Sequence, residues 1–84
     1  GWTYMYTQTY YLNKSGVMQT GWVKDDGNWY YMDLKTGALF TGWHEISGKW
    51  YYFHEEGDGF KGTLMVNCET PDGYTVDVNG ALVE

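Results

Sequence analysis

Along Gly21 to Met32, two apolar, β-prone runs, Trp22-Val23 and Trp29-Tyr30-Tyr31-Met32, flank the polar stretch Lys24-Asp25-Asp26-Gly27-Asn28. An Asp-Gly pair in that position predicts a two-residue β-hairpin turn, because both central residues take positive φ. A turn at Asp26-Gly27 sets the register: Asp25 faces Asn28, Lys24 faces Trp29, Val23 faces Tyr30 and Trp22 faces Tyr31. Directly opposed residues share a face and side chains alternate along each strand. Trp22, Trp29 and Tyr31 therefore emerge on one side, and Val23, Tyr30 and Met32 on the other.

The same pattern returns further on. With Ser47-Gly48 as the turn, Trp43 opposes Tyr52 and Glu45 opposes Trp50, so that Trp43, Trp50 and Tyr52 share one face and His44, Tyr51 and Phe53 the other. A weaker copy opens at Gly1-Trp2 and continues through Tyr10-Tyr11 and Gly16-Val17-Met18, although Tyr6-Thr7 makes a poor turn and Thr9 stands where a Trp is expected. The Gly-Trp pairs begin at residues 1, 21 and 42, a period of 20 to 21 residues. A short fixed period means that each unit is one supersecondary element, which buries its apolar face only by stacking on its neighbours. The stretch from Gly62 to Glu84 lacks Gly-Trp but keeps Pro71-Asp72-Gly73 as a turn, followed by Tyr74-Thr75-Val76 and Asn79-Gly80-Ala81-Leu82. It reads as an atypical terminal cap. The expected organisation is one all-β repeat module over 1–84, a solenoid of stacked hairpins with repeats at about 1–20, 21–41 and 42–61 and a cap at about 62–84.

The face carrying Tyr10 and Leu12, Tyr30 and Met32, Tyr51 and Phe53, and Tyr74 and Val76 is present in all four units. The opposite face fades from Trp29 and Tyr31 or Trp50 and Tyr52 to Thr9 and Tyr11 or Gly73 and Thr75. A packing core must be present in every unit, whereas a ligand face can fade. The first face is thus expected to pack, with Tyr10, Tyr30, Tyr51 and Tyr74 more buried than Tyr11, Tyr31 and Tyr52.

Composition sharpens this picture. Aromatics make up 20% of the 84 residues, with 5 Trp, 9 Tyr and 3 Phe, more than a small core needs and placed periodically, as suits ligand platforms and stacking. The net charge of −6 argues against nucleic acid and against an anionic membrane surface, both of which need a basic footprint. No apolar run approaches the roughly 18 residues that would span a membrane. The chain has no initiator Met and no signal peptide, and reads as a piece of a longer protein or a mature form. Cys68 is the single cysteine and is expected to be a buried or half-buried small apolar residue rather than a nucleophile or disulfide partner.

The phrase Gly-Trp-Val-Lys-Asp-Asp-Gly-Asn-Trp-Tyr-Tyr-Met-Asp with Thr-Gly-Ala-Leu-Phe-Thr, residues 21–33 and 36–41, strongly resembles the cell-wall-binding repeats called choline-binding repeats, found in Gram-positive surface proteins, autolysins and phage lysins. The likeness covers nearly the whole chain. It implies a left-handed solenoid of hairpins, location at the bacterial cell surface or secretion, and choline sites between consecutive hairpins. Each site takes the Gly-Trp Trp and the Trp of Trp-Tyr-Tyr from one repeat, a Tyr from the next, and a Met or Leu from the connecting loop. Carried over, the resemblance implies a cage of Trp22, Trp29 and Tyr52 with Leu39 beside it. An earlier site would use Trp2, Tyr31 and Met18, with Thr9 in place of one wall. Trp43 and Trp50 would need a Tyr from the fourth unit, where Thr75 holds the matching place, and that site reads as incomplete. The chemistry suits the implied ligand, since a quaternary ammonium donates no conventional hydrogen bond and is held by ring faces and burial of its methyl groups.

Other readings stay open. The tryptophans alternatively pack structurally, as in a spacer or interaction stalk with vestigial sites, or stack on sugar rings, as in related glucan-binding repeats. Trp at the head of Trp-Tyr-Tyr favours the choline pattern. Repeat stacking also leaves open a homo-oligomer. His44 and His54 lie ten residues apart without a ligand partner at metal spacing, and Glu55-Glu56-Gly57-Asp58-Gly59 lacks the ordered ligand alternation of a calcium loop. No phosphate loop and no nucleophile beside a base occur, so the expectation is a binding module with no catalytic residues, no metal and no cofactor, whose partner is a choline-bearing wall polymer or a glycan.

Overall fold

A computed structural model describes residues 1–55 and 61–84. Among these the chain is all-β, without a helix, and every sheet is a two-stranded antiparallel hairpin. The strands are β1 (Trp2–Met5), β2 (Gln8–Tyr11), β3 (Gly21–Asp25), β4 (Asn28–Met32), β5 (Gly42–Ile46), β6 (Lys49–Phe53), β7 (Cys68–Glu69) and β8 (Thr75–Val76). The chain falls into two compact units, Gly1–Phe40 and Thr41–Glu84.

The predicted registers are the observed ones. In β3–β4, Trp22 pairs with Tyr31, Val23 with Tyr30, Lys24 with Trp29 and Asp25 with Asn28. In β5–β6, Trp43 pairs with Tyr52, His44 with Tyr51 and Glu45 with Trp50. The central turn residues take positive φ, 51° and 82° at Asp26-Gly27 and 52° and 84° at Ser47-Gly48, as a turn matched to strand twist requires. Tyr6-Thr7 adopts the same conformation, at 50° and 66°, despite carrying two β-carbons. Pairing of Trp2 with Tyr11 and Met5 with Gln8 outweighs that strain.

In the first unit Val23, Tyr30 and Met32 form the core, with Tyr11 and Leu39 packed against them. The connection after β4 turns back on itself: Asp33 accepts the amides of Lys35 and Thr36 on its carboxylate, and Phe40 N–H donates to the Tyr31 carbonyl. Leu39 N–H then donates to the Thr9 carbonyl of the preceding hairpin at 2.9 Å, which ties the two hairpins of this unit together. The second unit repeats the device. Asp77 caps its loop through the amides of Asn79 and Ala81, and Leu82 N–H donates to the Trp50 carbonyl at 2.8 Å. Thr9 and Trp50 thus hold equivalent places. Met32, Phe53 and Val76 are fully buried, as the packing face demands, and each such side chain contributes about 1.5–3 kcal/mol of apolar burial.

The tyrosines divide differently from the expectation. Tyr30 is 1% exposed, but Tyr52 at 5% is more buried than the half-buried Tyr51, and Tyr74 is 55% exposed. Cross-strand Trp rings cause the difference. Trp43 lies edge-on to Tyr52 at 5.1 Å, and Tyr31 is covered by Trp22 at 5.1 Å and by Phe40 at 4.9 Å. Cys68 is half-buried in β7 opposite Val76. The acidic stretch singled out in the sequence lies, apart from Glu55, outside the described residues. No helix among the described residues is long and apolar enough to cross a membrane.

Candidate functional site

Three aromatic rings of the second unit enclose an open cavity of ≈ 400 Å³, lined by Trp43, Trp50, Asp72, Tyr74 and Leu82. Hairpin pairing puts Trp43 and Trp50 on one face, because Trp43 opposes Tyr52 and Glu45 opposes Trp50. Tyr74 arrives from the fourth unit and stands perpendicular to Trp43, with ring centroids 5.8 Å apart. Leu82 is fixed by its backbone bond to Trp50. Trp50 and Tyr74 keep 41% and 55% of their surface exposed, so ring faces remain available to a ligand. Tyr74, where the sequence pointed to Thr75, completes the wall. The fourth hairpin has only two paired positions, Cys68 with Val76 and Glu69 with Thr75, and the five residues between, Tyr74 among them, form a loop.

That five-residue loop is organised by Thr70, which is 3% exposed. Its backbone N–H donates to the Tyr74 carbonyl at 2.7 Å, its hydroxyl accepts the Tyr74 amide at 3.1 Å, and the hydroxyl donates to Asp72 Oδ1 at 2.6 Å. Asp72 Oδ2 accepts the Trp43 indole N–H at 3.0 Å. The Thr70 hydroxyl, and after it the Trp43 indole, hold the Asp72 carboxyl below its ordinary range, since both hydrogen bonds favour the ionised form. An anion therefore stands among the lining residues of an aromatic cavity.

The first unit carries the same parts with one replacement. Trp2 lies 4.8 Å from Tyr11 and 4.6 Å from Tyr30, and its indole donates to Asp25 Oδ2 at 3.2 Å. Tyr11 donates to Asp25 Oδ1 at 3.0 Å, which raises the Tyr11 pKa. Thr9 stands where the second unit has Trp50, and Tyr30 is buried where Tyr74 is open. The second wall is missing and the third is covered.

The other residues singled out by the sequence are placed as follows. Trp22 and Trp29 meet edge-to-face at 6.2 Å and both remain exposed, with the Lys24 ammonium 5.8 Å from the Trp29 ring. Tyr52 packs on Trp43 and donates its hydroxyl to Glu55 at 3.2 Å. Leu39 joins the core of the first unit beside Thr9. Tyr31 packs on Trp22 and Phe40 rather than meeting Trp2, and Met18 lies against Gly37. His44 is held by its ring nitrogen at 3.0 Å from the Thr41 carbonyl. Among the described residues no three His, Cys, Asp or Glu are grouped to hold a metal ion. The sequence reading missed Tyr74, Asp72 and Leu82 as site residues. A signal for Tyr74 existed in the repeat itself: Val76 bridges Leu82 as Met32 bridges Leu39, so Tyr74 holds the place of Tyr30, the ring that meets Trp2.

Known proteins share both sequence and fold with this chain. The choline-binding repeat family matches over residues 1–41 and 40–83. Choline binding protein F of Streptococcus pneumoniae, solved in the presence of a peptidoglycan analogue, is 44% identical over 100% of this chain and 26% of its own, with a TM-score of 0.88. CbpJ of Streptococcus pneumoniae TIGR4 is 42% identical over 99% of this chain and 26% of its own, with a TM-score of 0.87. The choline binding domain of Spr1274 from Streptococcus pneumoniae is 38% identical over 100% of this chain and 94% of its own, with a TM-score of 0.84. The chain thus spans about a quarter of the length of the first two. No curated protein sequence matches it. Matched by the repeat family along nearly its whole length, the chain belongs to the choline-binding repeats.

Proposed function

We propose that this chain is a non-catalytic anchoring module, which fastens its parent protein to a bacterial cell wall by caging the choline groups of a wall polymer in aromatic sites. The observation that carries this reading is the open cavity lined by Trp43, Trp50 and Tyr74 together with Leu82 and Asp72. Ring faces attract a quaternary ammonium through their quadrupoles, each for about 0.5–2 kcal/mol when partly desolvated. Three rings less the cost of ordering correspond to about millimolar affinity for free choline. The exposed pair Trp22 and Trp29, whose rings meet edge-to-face at 6.2 Å, belongs to the same proposal as two walls of a second site. Choline binding protein F supports the ligand class, having been solved with ipratropium, a quaternary amine.

Choline titrations followed by tryptophan fluorescence test the reading. Choline at millimolar concentrations should saturate the protein, and Trp50→Ala should weaken the response at the second-unit cavity roughly tenfold, the value of one ring wall. Titrations of Trp50→Ala and Trp43→Ala that both superimpose on the parent would remove this cavity as a choline site.

A further inference from the structure

Asp72 does two things at the cavity that are separable in principle. It fixes the plane of Trp43 by accepting the indole N–H, and it places a negative charge among the lining residues. Its two hydrogen-bond donors, the Thr70 hydroxyl and the Trp43 indole, are both neutral, so the anion is oriented without being neutralised. Each carboxylate oxygen also keeps a lone pair unused by these bonds. The first unit shows what the indole clamp does alone: Asp25 holds Trp2 in the same way, yet Thr9 there leaves no second ring wall. Among the described residues, the second unit alone sets a fixed carboxylate beside three rings and an apolar Leu82.

We propose that Asp72 is the specificity-determining residue of the Trp43–Trp50–Tyr74 cavity, conferring preference for a quaternary ammonium over a neutral group of the same shape. The inference rests on the reading of this cavity as the ligand site. Rings and Leu82 contribute dispersion and burial to a tert-butyl group as to a trimethylammonium group. Quadrupole attraction and the Asp72 charge act only on the cation. Solvent reaches the carboxylate, so its share is modest and sensitive to salt. A sugar ring, neutral and stacked flat on a Trp face, gains nothing from it.

The test compares choline with its neutral carbon isostere, 3,3-dimethylbutan-1-ol, on the parent, Asp72→Asn and Glu45→Gln. The Asp72→Asn substitution retains a side-chain oxygen for the Trp43 indole and removes the charge. Glu45→Gln removes one charge from the hairpin that carries Trp43 and Trp50, at a residue that does not line the cavity. Asp72→Asn should weaken choline about threefold, as expected of a screened charge pair, and leave the alcohol unchanged. Glu45→Gln should change neither by as much. In the parent, added salt should weaken choline and spare the alcohol, a readout that does not depend on any variant folding. Choline and alcohol falling together in Asp72→Asn would assign Asp72 to the clamp alone and overturn the proposal, as would an unchanged choline affinity or an equal effect of Glu45→Gln. If the parent binds choline, Trp50→Ala loses it and Asp72→Asn does not, then the inference fails while the cavity stands. If choline leaves the parent unperturbed at tens of millimolar, the reading of the cavity fails and the inference falls with it.

Discussion

Gly80 takes a φ of +87° beneath Leu64, whose Cδ2 would stand 2.8 Å from a β-carbon built there. Two costs meet at this residue, the left-handed backbone and the steric overlap. Gly27, at φ +82°, has nothing within 4 Å of its β-position and isolates the first cost. Gly27→Ala should therefore destabilise by about 1–2 kcal/mol, and Gly80→Ala by more, with Leu64→Ala recovering part of the excess in a double-mutant cycle. Equal losses at the two glycines in denaturant melts would show that Leu64 moves aside freely. Asp33 shows a residue-scale device with a pH signature. The Thr36 and Lys35 amides, in that order, lower its pKa from the ordinary 3.8. A carboxyl whose folded pKa is depressed contributes stability that is present above the unfolded value and lost as pH falls through the folded one. Stability should thus decline below about pH 4, and Asp33→Asn should keep the loop while flattening that decline, because Asn13 already caps the equivalent loop through the Ser15 and Val17 amides. An unchanged acid limb in Asp33→Asn would assign the sensitivity to other carboxylates. These capping residues were legible in principle, as Asn13 and Asp33 each precede a glycine by three or four positions. They escape periodicity because they lie between the alternating runs and act through backbone amides.

At the scale of the hairpin, pattern and structure agree closely wherever the turn carries a residue suited to positive φ. Asp26-Gly27 and Ser47-Gly48 dictate the registers found, since a one-residue slip would turn every ring to the wrong face. Tyr6-Thr7 departs from turn chemistry, and the strands impose the turn regardless, with Tyr6 90% exposed. Replacing the pair by Asn-Gly should relieve about 1 kcal/mol in total, Asn keeping part of the left-handed cost, and raise the melting temperature by several degrees, as about 4–8 °C per kcal/mol applies at this chain length. No rise, or a fall, would mean that the Tyr6 ring supplies a compensating contact. The fourth hairpin was the least legible element. Its core position Val76 follows the repeat, but the buried Thr70 hydroxyl rebuilds the turn as a five-residue loop, and a single side-chain hydrogen bond of that kind leaves no trace in hydrophobic periodicity. Tyr74 keeps the repeat position of Tyr30 but stands in that loop, 55% exposed rather than 1%.

For the molecule as a whole, the repeat period announced the stacking principle and the resemblance of the repeated phrase the family, whereas the membership of each cage was legible only in part. Trp43 and Trp50 follow from strand alternation, but Tyr74 and Asp72 depend on the local loop, and Leu39 is claimed by its bond to Thr9. The number of working cages decides whether the chain merely touches choline or anchors a protein. One cage holds a single choline at about millimolar affinity. A wall polymer bearing many cholines, if it spans two cages, makes the second binding event intramolecular and gains about 10² to 10⁴ in apparent affinity. The proposal of two sites, Trp43–Trp50–Tyr74 and one walled by Trp22 and Trp29, therefore predicts that a multivalent choline polymer binds the parent far more tightly than free choline does. Either Trp29→Ala or Trp50→Ala alone should return the polymer to near the free-choline affinity, and the double variant should abolish binding. Surface-immobilised polymer, with free choline as competitor, reads this directly. Trp29→Ala retaining the full polymer affinity while Trp50→Ala loses it would leave the second-unit cavity as the working site and strike Trp22 and Trp29 from the reading. The reverse pattern would strike the cavity.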